Sequence, residues 1–275
     1  MQINNILVPI DFSECSLNAL RYALTMAKDF KAKITIINGY KIPIPAADIN
    51  YTFDPAIYDD YEKEMKEKFS LLPGKIPELN MVEVVYKVEM AFPVEAIEQE
   101  IEDQGVDLVV MGTKGASNLA EVVIGSNTFH VAKRATCPVL AIPENIKSRK
   151  INNIAIAVDL NHTDKDWPLK MLLKIAEEYN AAVHFLHVSD KPSEIPYDQA
   201  WEVLAYKKEF ADIENHFHFI ENKNIEEGIN EYLEHHEIDM LVLLPKKHPF
   251  FEKLFKRSIT RSMLLHAKIP LLTIN

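Results

Sequence analysis

The sequence predicts an α/β fold, repeated in two tandem domains that are each built on a parallel sheet. Three observations carry this. Short, near-continuously apolar runs alternate with longer amphipathic stretches, which is the pattern of strands buried on both faces between helices. Several runs close on a polar or glycine residue, at Asp11, Gly39 and Gly112, where open parallel sheets place their ligands. The order of elements then begins again past the middle of the chain.

Taken in order, Ile6-Leu7-Val8-Pro9-Ile10-Asp11 reads as the first strand. Ser13 is suited to cap the next helix, whose apolar face would carry Leu17, Leu20, Ala23, Leu24 and Ala27. Ile34-Thr35-Ile36-Ile37 is a second strand ending at Asn38-Gly39. Residues 41–57 contain Pro43, Pro45 and Pro55 and read as an irregular loop before a charged helix over 57–72. A third strand is expected over 81–88 and a helix over 93–102, with proline in its first turn. Asp107-Leu108-Val109-Val110-Met111 is the fourth strand, followed by a helix running through Ala132. Val139-Leu140-Ala141-Ile142 is the last.

The repeat has two anchors. Ile3-Asn4-Asn5-Ile6 recurs as Ile151-Asn152-Asn153-Ile154, and Asp11 recurs as Asp159 at the same displacement. Asp107-Leu108-Val109-Val110 recurs as Asp239-Met240-Leu241-Val242 at a shorter displacement, which holds through Ser126/Ser258, Thr128/Thr260 and Pro138/Pro270. The second copy has therefore lost residues between the anchors, most simply from the 41–57 loop and its helix. Domains are expected over 1–146 and 151–275, with 147–150 between them.

Composition narrows the function classes. A net charge of −11 argues against a general nucleic-acid or anionic-membrane binder. No basic region and long apolar segment mark a signal peptide at the start, and no apolar run approaches the ~20 residues of a membrane span. The two cysteines, Cys15 and Cys137, have no redox or metal-ligand spacing. A cytoplasmic location is expected. Buried structural thiols are the expected reading of both, although Cys15 lies near the candidate site.

The chemistry concentrates after the fourth strand, in Gly112-Thr113-Lys114-Gly115 and then Gly125-Ser126-Asn127-Thr128. Glycine at a strand-to-helix turn permits positive φ and close backbone approach. Backbone N–H groups there, with the start of the next helix, suit a phosphate. No Gly-Lys-Ser/Thr of a Walker loop, no Gly-x-Gly-x-x-Gly and no Gly-x-Ser-x-Gly elbow is present.

With Val8-Pro9-Ile10-Asp11-Phe12-Ser13 at the start, Gly112-x2-Gly115-x9-Gly125-Ser126 in the middle and Cys137-Pro138-Val139-Leu140 entering the last strand, the whole chain resembles a tandem universal stress protein. The resemblance implies an open five-stranded parallel sheet per domain, in the order 3-2-1-4-5, with helices on both faces. It also implies ATP or another adenine nucleotide, with Mg2+ as a candidate companion. By motif, Gly112, Gly115, Gly125, Ser126 and Asn127 would hold phosphates and ribose, with Met111, Lys114 and Thr128 beside them. Pro9, Ile10 and Asp11 would face the nucleoside, and the backbone of Gly39 would lie near adenine. In such proteins the last strands pair two domains across a pseudo-two-fold, so the chain is expected to form an intrachain pseudo-dimer; a homodimer of whole chains is left open.

The second copy departs from this motif. Leu244, Lys247 and Arg257 stand where Gly112, Gly115 and Gly125 stand in the first, and Pro245 replaces Thr113 and removes a donor. One nucleotide site per chain is expected, in the first domain. Lys246, Lys247, Lys253, Lys256, Arg257 and Arg261 crowd this segment, which reads as a solvated basic helix or as a repurposed anion or partner site. Nine of the ten histidines lie in the second copy. His216 and His218 would share a strand face while His184 and His187 would not, and no metal site is expected of them. No general base stands out beside the glycines, so the leading reading is a nucleotide-binding stress or regulatory protein with no catalytic residue. The alternatives are slow ATP hydrolysis or autophosphorylation, with Ser13, Ser126 or Thr128 as acceptor, and a ligand-free module for an unknown protein partner.

Overall fold

A computed structural model describes residues 2–40, 55–113, 126–148, 150–160, 169–190, 197–244 and 268–274. The first half runs β1 (Asn5–Pro9), α1 (Glu14–Phe30), β2 (Lys33–Gly39), α2 (Pro55–Lys75), β3 (Val84–Glu89), α3 (Pro93–Gln104), β4 (Leu108–Gly112), α4 (Ser126–Arg134) and β5 (Val139–Ile142). The second half runs β6 (Asn153–Ala157), α5 (Lys170–Tyr179), β7 (Ala182–Ser189), α6 (Tyr197–Glu209), β8 (Asn215–Glu221), α7 (Ile225–His235), β9 (Met240–Leu243) and β10 (Leu271–Thr273). The strands form one ten-stranded sheet in the order β3-β2-β1-β4-β5-β10-β9-β6-β7-β8. Each half shows the order 3-2-1-4-5, and all pairings within a half are parallel.

The halves meet where β5 pairs antiparallel with β10, Leu140 opposite Leu272. Both strands are fully buried. An apolar strand left at a sheet edge would expose unpaired N–H and C=O groups; here each edge closes the other, and Thr273 Oγ1 adds a bond to Val139 O at 3.3 Å. Because side chains alternate faces along a strand, one core layer takes Ile6, Val8 and Val110 with Ile154, Val242 and Leu272. The other takes Leu7, Val109 and Ala141 with Ala155, Leu241 and Leu271. Both layers therefore run through both halves. Across the first layer Tyr179 donates to Asp29 Oδ2 at 3.0 Å, with its ring edge-on to Phe30.

Local chemistry accounts for the helix ends. Ser13 caps α1, its Oγ accepting from Ser16 N at 3.2 Å. The C-terminal ends of α1 and α5 close on Lys31 and Asn180, both left-handed, with φ 56° and 50°. α1 buries more than its expected stripe, including Ala19, Tyr22 and Met26, all of which join the core layer that runs through both halves. The charged helix is longer than the 57–72 expected. The third strand begins at Val84 rather than 81, since Pro77–Met81 form a 3-10 turn. α3 continues past 102 to Gln104 and stops at Gly105, with φ +60°. The loop expected over 41–57 lies outside the described residues up to 54, and α2 starts at Pro55.

The repeated Asn-Asn and Asp letters also have a physical basis. Asp107 Oδ2 accepts from Asn4 N at 2.8 Å and Asn5 N at 3.0 Å. Asp239 Oδ2 accepts from Asn152 N at 2.7 Å and Asn153 N at 3.0 Å. In each half one carboxylate at the start of the fourth strand anchors the entry of the first. Asp107→Ala and Asp239→Ala should each lower unfolding free energy by about 1.5–3 kcal/mol, as expected for charge-assisted bonds to donors that are part-buried or, at Asn4, exposed. Urea titration checks this; a loss under about 0.5 kcal/mol would mean that water replaces the carboxylate at no cost.

Candidate functional site

The first half carries a cleft over the carboxyl ends of β1, β2 and β4, lined by Pro9, Ile10, Asp11, Ser16, Ile37, Asn38, Gly39, Pro93, Ile97, Met111, Gly112, Asn127 and Thr128. The strand order reverses here, with β2 on one side of β1 and β4 on the other, which is where open α/β sheets leave a crevice. The cleft brings together Pro9, Ile10, Asp11, Gly39, Met111, Gly112, Asn127 and Thr128 of the expected site. Lys114, Gly115 and Gly125 lie outside the described residues. Ser126 opens α4, but its side chain also lies outside them. Asn127 and Thr128 bring the first turn of α4 to the cleft, and the donors of a helix start favour an anion there.

The glycines are explained by packing. A Cβ on Gly112 would stand 2.8 Å from Cys15 Sγ and 2.9 Å from Cys15 O, so α1 can approach β4 only if this residue is glycine. Gly112 does not use the positive φ that glycine permits: Gly105 is the only positive-φ glycine among the described residues. A Cβ on Gly39 would stand 3.0 Å from both Ala96 Cβ and Pro93 Cα. Gly39 thus lets the start of α3 close down on the end of β2, forming one wall of the cleft.

Hydrogen bonds fix the remaining groups. Thr128 Oγ1 donates to Gly112 O at 2.7 Å and is buried. Its hydroxyl proton ties α4 to the end of β4, which disfavours Thr128 as a phosphoryl acceptor. Phe12 sits at φ 62°, a conformation costly for a bulky residue, and turns the chain so that Asp11 Oδ1 accepts from Ser13 N at 3.1 Å and Ser13 Oγ at 2.6 Å. Asp11 is held facing the cleft mouth and remains exposed.

Asn38 was not among the expected site residues. It is buried, donates through Nδ2 to Ile10 O at 2.8 Å, and accepts from Tyr61 Oη at 2.7 Å. Tyr61 stacks on Tyr40 with centroids 3.8 Å apart. Its signal in the sequence is a polar side chain closing an apolar strand beside a glycine. Ser16, Ile37, Pro93 and Ile97 had no such signal. Cys15 is buried beneath Gly112, and burial pushes the Cys137 thiol up to about 12, so Cys137 stays protonated.

The second half builds the same place differently. Strand register puts Val188 where Gly39 is, and Gly228 of α7 takes the place of Ala96. A Cβ on Gly228 would meet Val188 Cγ1 at 2.8 Å, so the glycine has moved from strand to helix while the close approach is kept. His187 replaces Asn38, its Nδ1 lying 3.3 Å from Val158 O, the counterpart of Ile10 O. Val188, Leu244 and Asp159 are all buried. The basic segment carrying Lys247 and Arg257 lies outside the described residues.

Against known proteins, the model of the universal stress protein family matches the chain twice, over residues 2–143 and 150–275. Universal stress protein MJ0577 of Methanocaldococcus jannaschii is 29% identical over 156 residues, covering 50% of this chain and 93% of that protein. YxiE of Bacillus subtilis, another universal stress protein, is 29% identical over 147 residues, covering 50% of this chain and 98% of its own. A solved universal stress protein of Archaeoglobus fulgidus has the same fold across the full length. Its TM-score is 0.73 at 20% identity, covering 100% of this chain and 99% of that one. No helix among the described residues is long and apolar enough to cross a membrane.

The glycine exchange gives a direct test of the packing argument. Gly39→Val alone should destabilise the chain by about 1–3 kcal/mol through overpacking against α3. Adding Ala96→Gly, which copies the second half, should recover most of that loss in urea unfolding. A double variant no more stable than the single one would show that the close approach does not set the residue choice.

Proposed function

The chain belongs to the universal stress protein family in both its halves, and we propose that it is an adenine-nucleotide-binding stress-response or regulatory protein with one nucleotide site, in the first domain. The observation that carries this reading is the asymmetry of the two copies. In the first, glycines at 39 and 112 keep side chains off the strand ends around a cleft that also receives the start of α4. In the second, Val188 and Leu244 occupy those places as buried side chains.

The fit to a nucleotide is chemical as well as spatial. Apolar Ile37, Ile97 and Pro93 face the backbone of Gly39 at one end, a surface suited to a flat base. Asp11 stands at the mouth, where a carboxylate can accept from ribose hydroxyls. The start of α4, with Asn127, offers donors to phosphate oxygens, and the motif Gly112-x2-Gly115-x9-Gly125-Ser126 is of the kind that supplies further backbone N–H donors to a phosphate. ATP is the nucleotide this reading favours. Binding without rapid turnover fits best, since Asp11 Oδ1 already receives Ser13 and the Thr128 hydroxyl proton is held by Gly112 O.

Denaturing the purified chain and analysing the released small molecules should yield adenine nucleotide at about one per chain. None, even after ATP addition, would favour a ligand-free interaction module. ATP at ~1,000 times its Kd should stabilise the protein by about 4 kcal/mol. Gly115→Lys or Gly125→Arg, each copying the second half, should abolish the accompanying thermal shift. A shift that persists in both variants places the phosphates elsewhere.

A further inference from the structure

We propose that Asn38 is a positioning residue of the first cleft. By taking the carbonyl of Ile10 for itself, it leaves the backbone N–H and C=O of Gly39 to bind the edge of the base, a role that rests on the nucleotide reading above. Parallel strands bond in evenly spaced rungs. Pro9 pairs with Ile37, and Ile10 N donates to Ile37 O at 2.9 Å. Continued by one rung, the ladder would run from Gly39 N to Ile10 O and from Phe12 N to Gly39 O. Neither bond forms. Ile10 O instead accepts from Asn38 Nδ2 at 2.8 Å, and the chain leaves the ladder at Phe12, whose φ is 62°. Toward β3 the next bond is Tyr40 N to Glu89 O at 2.9 Å, which bypasses Gly39. Among the described residues both backbone groups of Gly39 are thus unpaired, at a residue that lines the cleft.

The amide of Asn38 is fixed from both ends. Ile10 O can only accept, so Nδ2 faces it and Oδ1 points away. Oδ1 accepts from Tyr61 Oη at 2.7 Å, and Tyr40 stacks on the Tyr61 ring at 3.8 Å. Asn38 is buried, so water does not compete for these bonds. α2, which carries Tyr61, thereby holds the amide in the one orientation that occupies Ile10 O.

The duplication points to the position rather than to the residue type. In the second half His187 stands in the place of Asn38, and its Nδ1 lies 3.3 Å from Val158 O, the counterpart of Ile10 O. A side-chain nitrogen meets the same carbonyl in both halves. Only in the first is the following residue a glycine beside an open cleft. An N–H and a C=O on one strand edge match a base edge that sets an acceptor beside a donor. Adenine does so with N1 and its 6-amino group. Ile37, Ile97 and Pro93 surround this edge with apolar surface, where a hydrogen bond is stronger than in water.

The test compares ATP with purine riboside triphosphate, which lacks the 6-amino group, by calorimetry on the full chain. The wild type should prefer ATP by roughly tenfold, the effect of one well-placed hydrogen bond. Asn38→Ala lets Gly39 N–H close on Ile10 O. ATP affinity should then fall roughly tenfold and the preference shrink to about twofold or less. A role in folding alone would weaken both ligands equally. Asn38→His, copying the second half, should restore affinity and preference. Hydrogen exchange gives a readout without nucleotide: the Gly39 amide should exchange at least ~100-fold faster than that of Ile37, and Asn38→Ala should slow it. Circular dichroism establishes folding; should Asn38→Ala not fold, the wild-type exchange pattern and Asn38→His decide. No preference in a wild type that binds ATP, equal affinity in folded Asn38→Ala, or a Gly39 amide as protected as that of Ile37 overturns this role and leaves nucleotide binding standing. No ATP binding by the wild type overturns both.

Discussion

An open parallel sheet has to dispose of its last strand. Val139–Ile142 and Leu271–Thr273 are short, fully buried and apolar but for Thr273, and left alone each would present a row of unpaired backbone groups and a largely apolar surface to water. Their antiparallel pairing removes both liabilities at once and converts two five-stranded sheets into one of ten strands. Because each strand contributes to two layers, the junction also fuses the cores: the layer holding Val110 continues to Leu272, and the layer holding Val109 continues to Leu271. The less buried strands, β3 and β8, are thereby sent to the outer edges, where Val85 and Tyr86 are partly exposed.

With the sheet fixed this way, each half offers the same crevice at its strand ends, and what occupies it is decided by very few atoms. Helix and strand backbones come so close at Gly39, and at its counterpart Val188 facing Gly228, that one of the facing residues must lack a side chain. In the first half the missing side chains belong to the strands, at Gly39 and Gly112, and the crevice stays open. In the second half Gly228 supplies the missing side chain from the helix, and Val188 fills the strand side. Packing quality can be preserved by either choice, so stability alone does not discriminate between them; only the space left for a ligand does.

The polar positions beneath α3 and α7 follow a similar logic. A group buried between sheet and helix must find a partner. The first half answers with an ion pair of Lys87 and Glu100 Oε2, leaving Glu100 Oε1 buried without a hydrogen-bond partner, and the second with His184, His218 and Tyr232. Both solutions fit the same backbone, which is why a duplicated fold can carry different chemistry in its two copies.

The sequence alone determined the α/β class, the duplication, the strand order through its family resemblance, and most residues around the first cleft, because these are written in short-range signals: apolar period, capping serine, glycine spacing and repeated Asn-Asn and Asp letters. It misjudged where structure depends on partners distant in the chain. The start of β3 shifted because Pro77–Met81 took a 3-10 turn. Gly112 reads from its spacing as part of a ligand-binding turn, while the close approach of Cys15, almost a hundred positions earlier, is what requires glycine there. Asn38 and Thr128 acquired their roles from Ile10, Tyr61 and Gly112. The histidines at 184 and 218, unremarkable by spacing, became neighbours of Tyr232 only because parallel pairing sets β8 beside β7 and α7 over both. Sequence period fixes which face a side chain takes; the tertiary structure decides what it meets there, since contact between side chains on different elements depends on register and helix placement that no local pattern encodes.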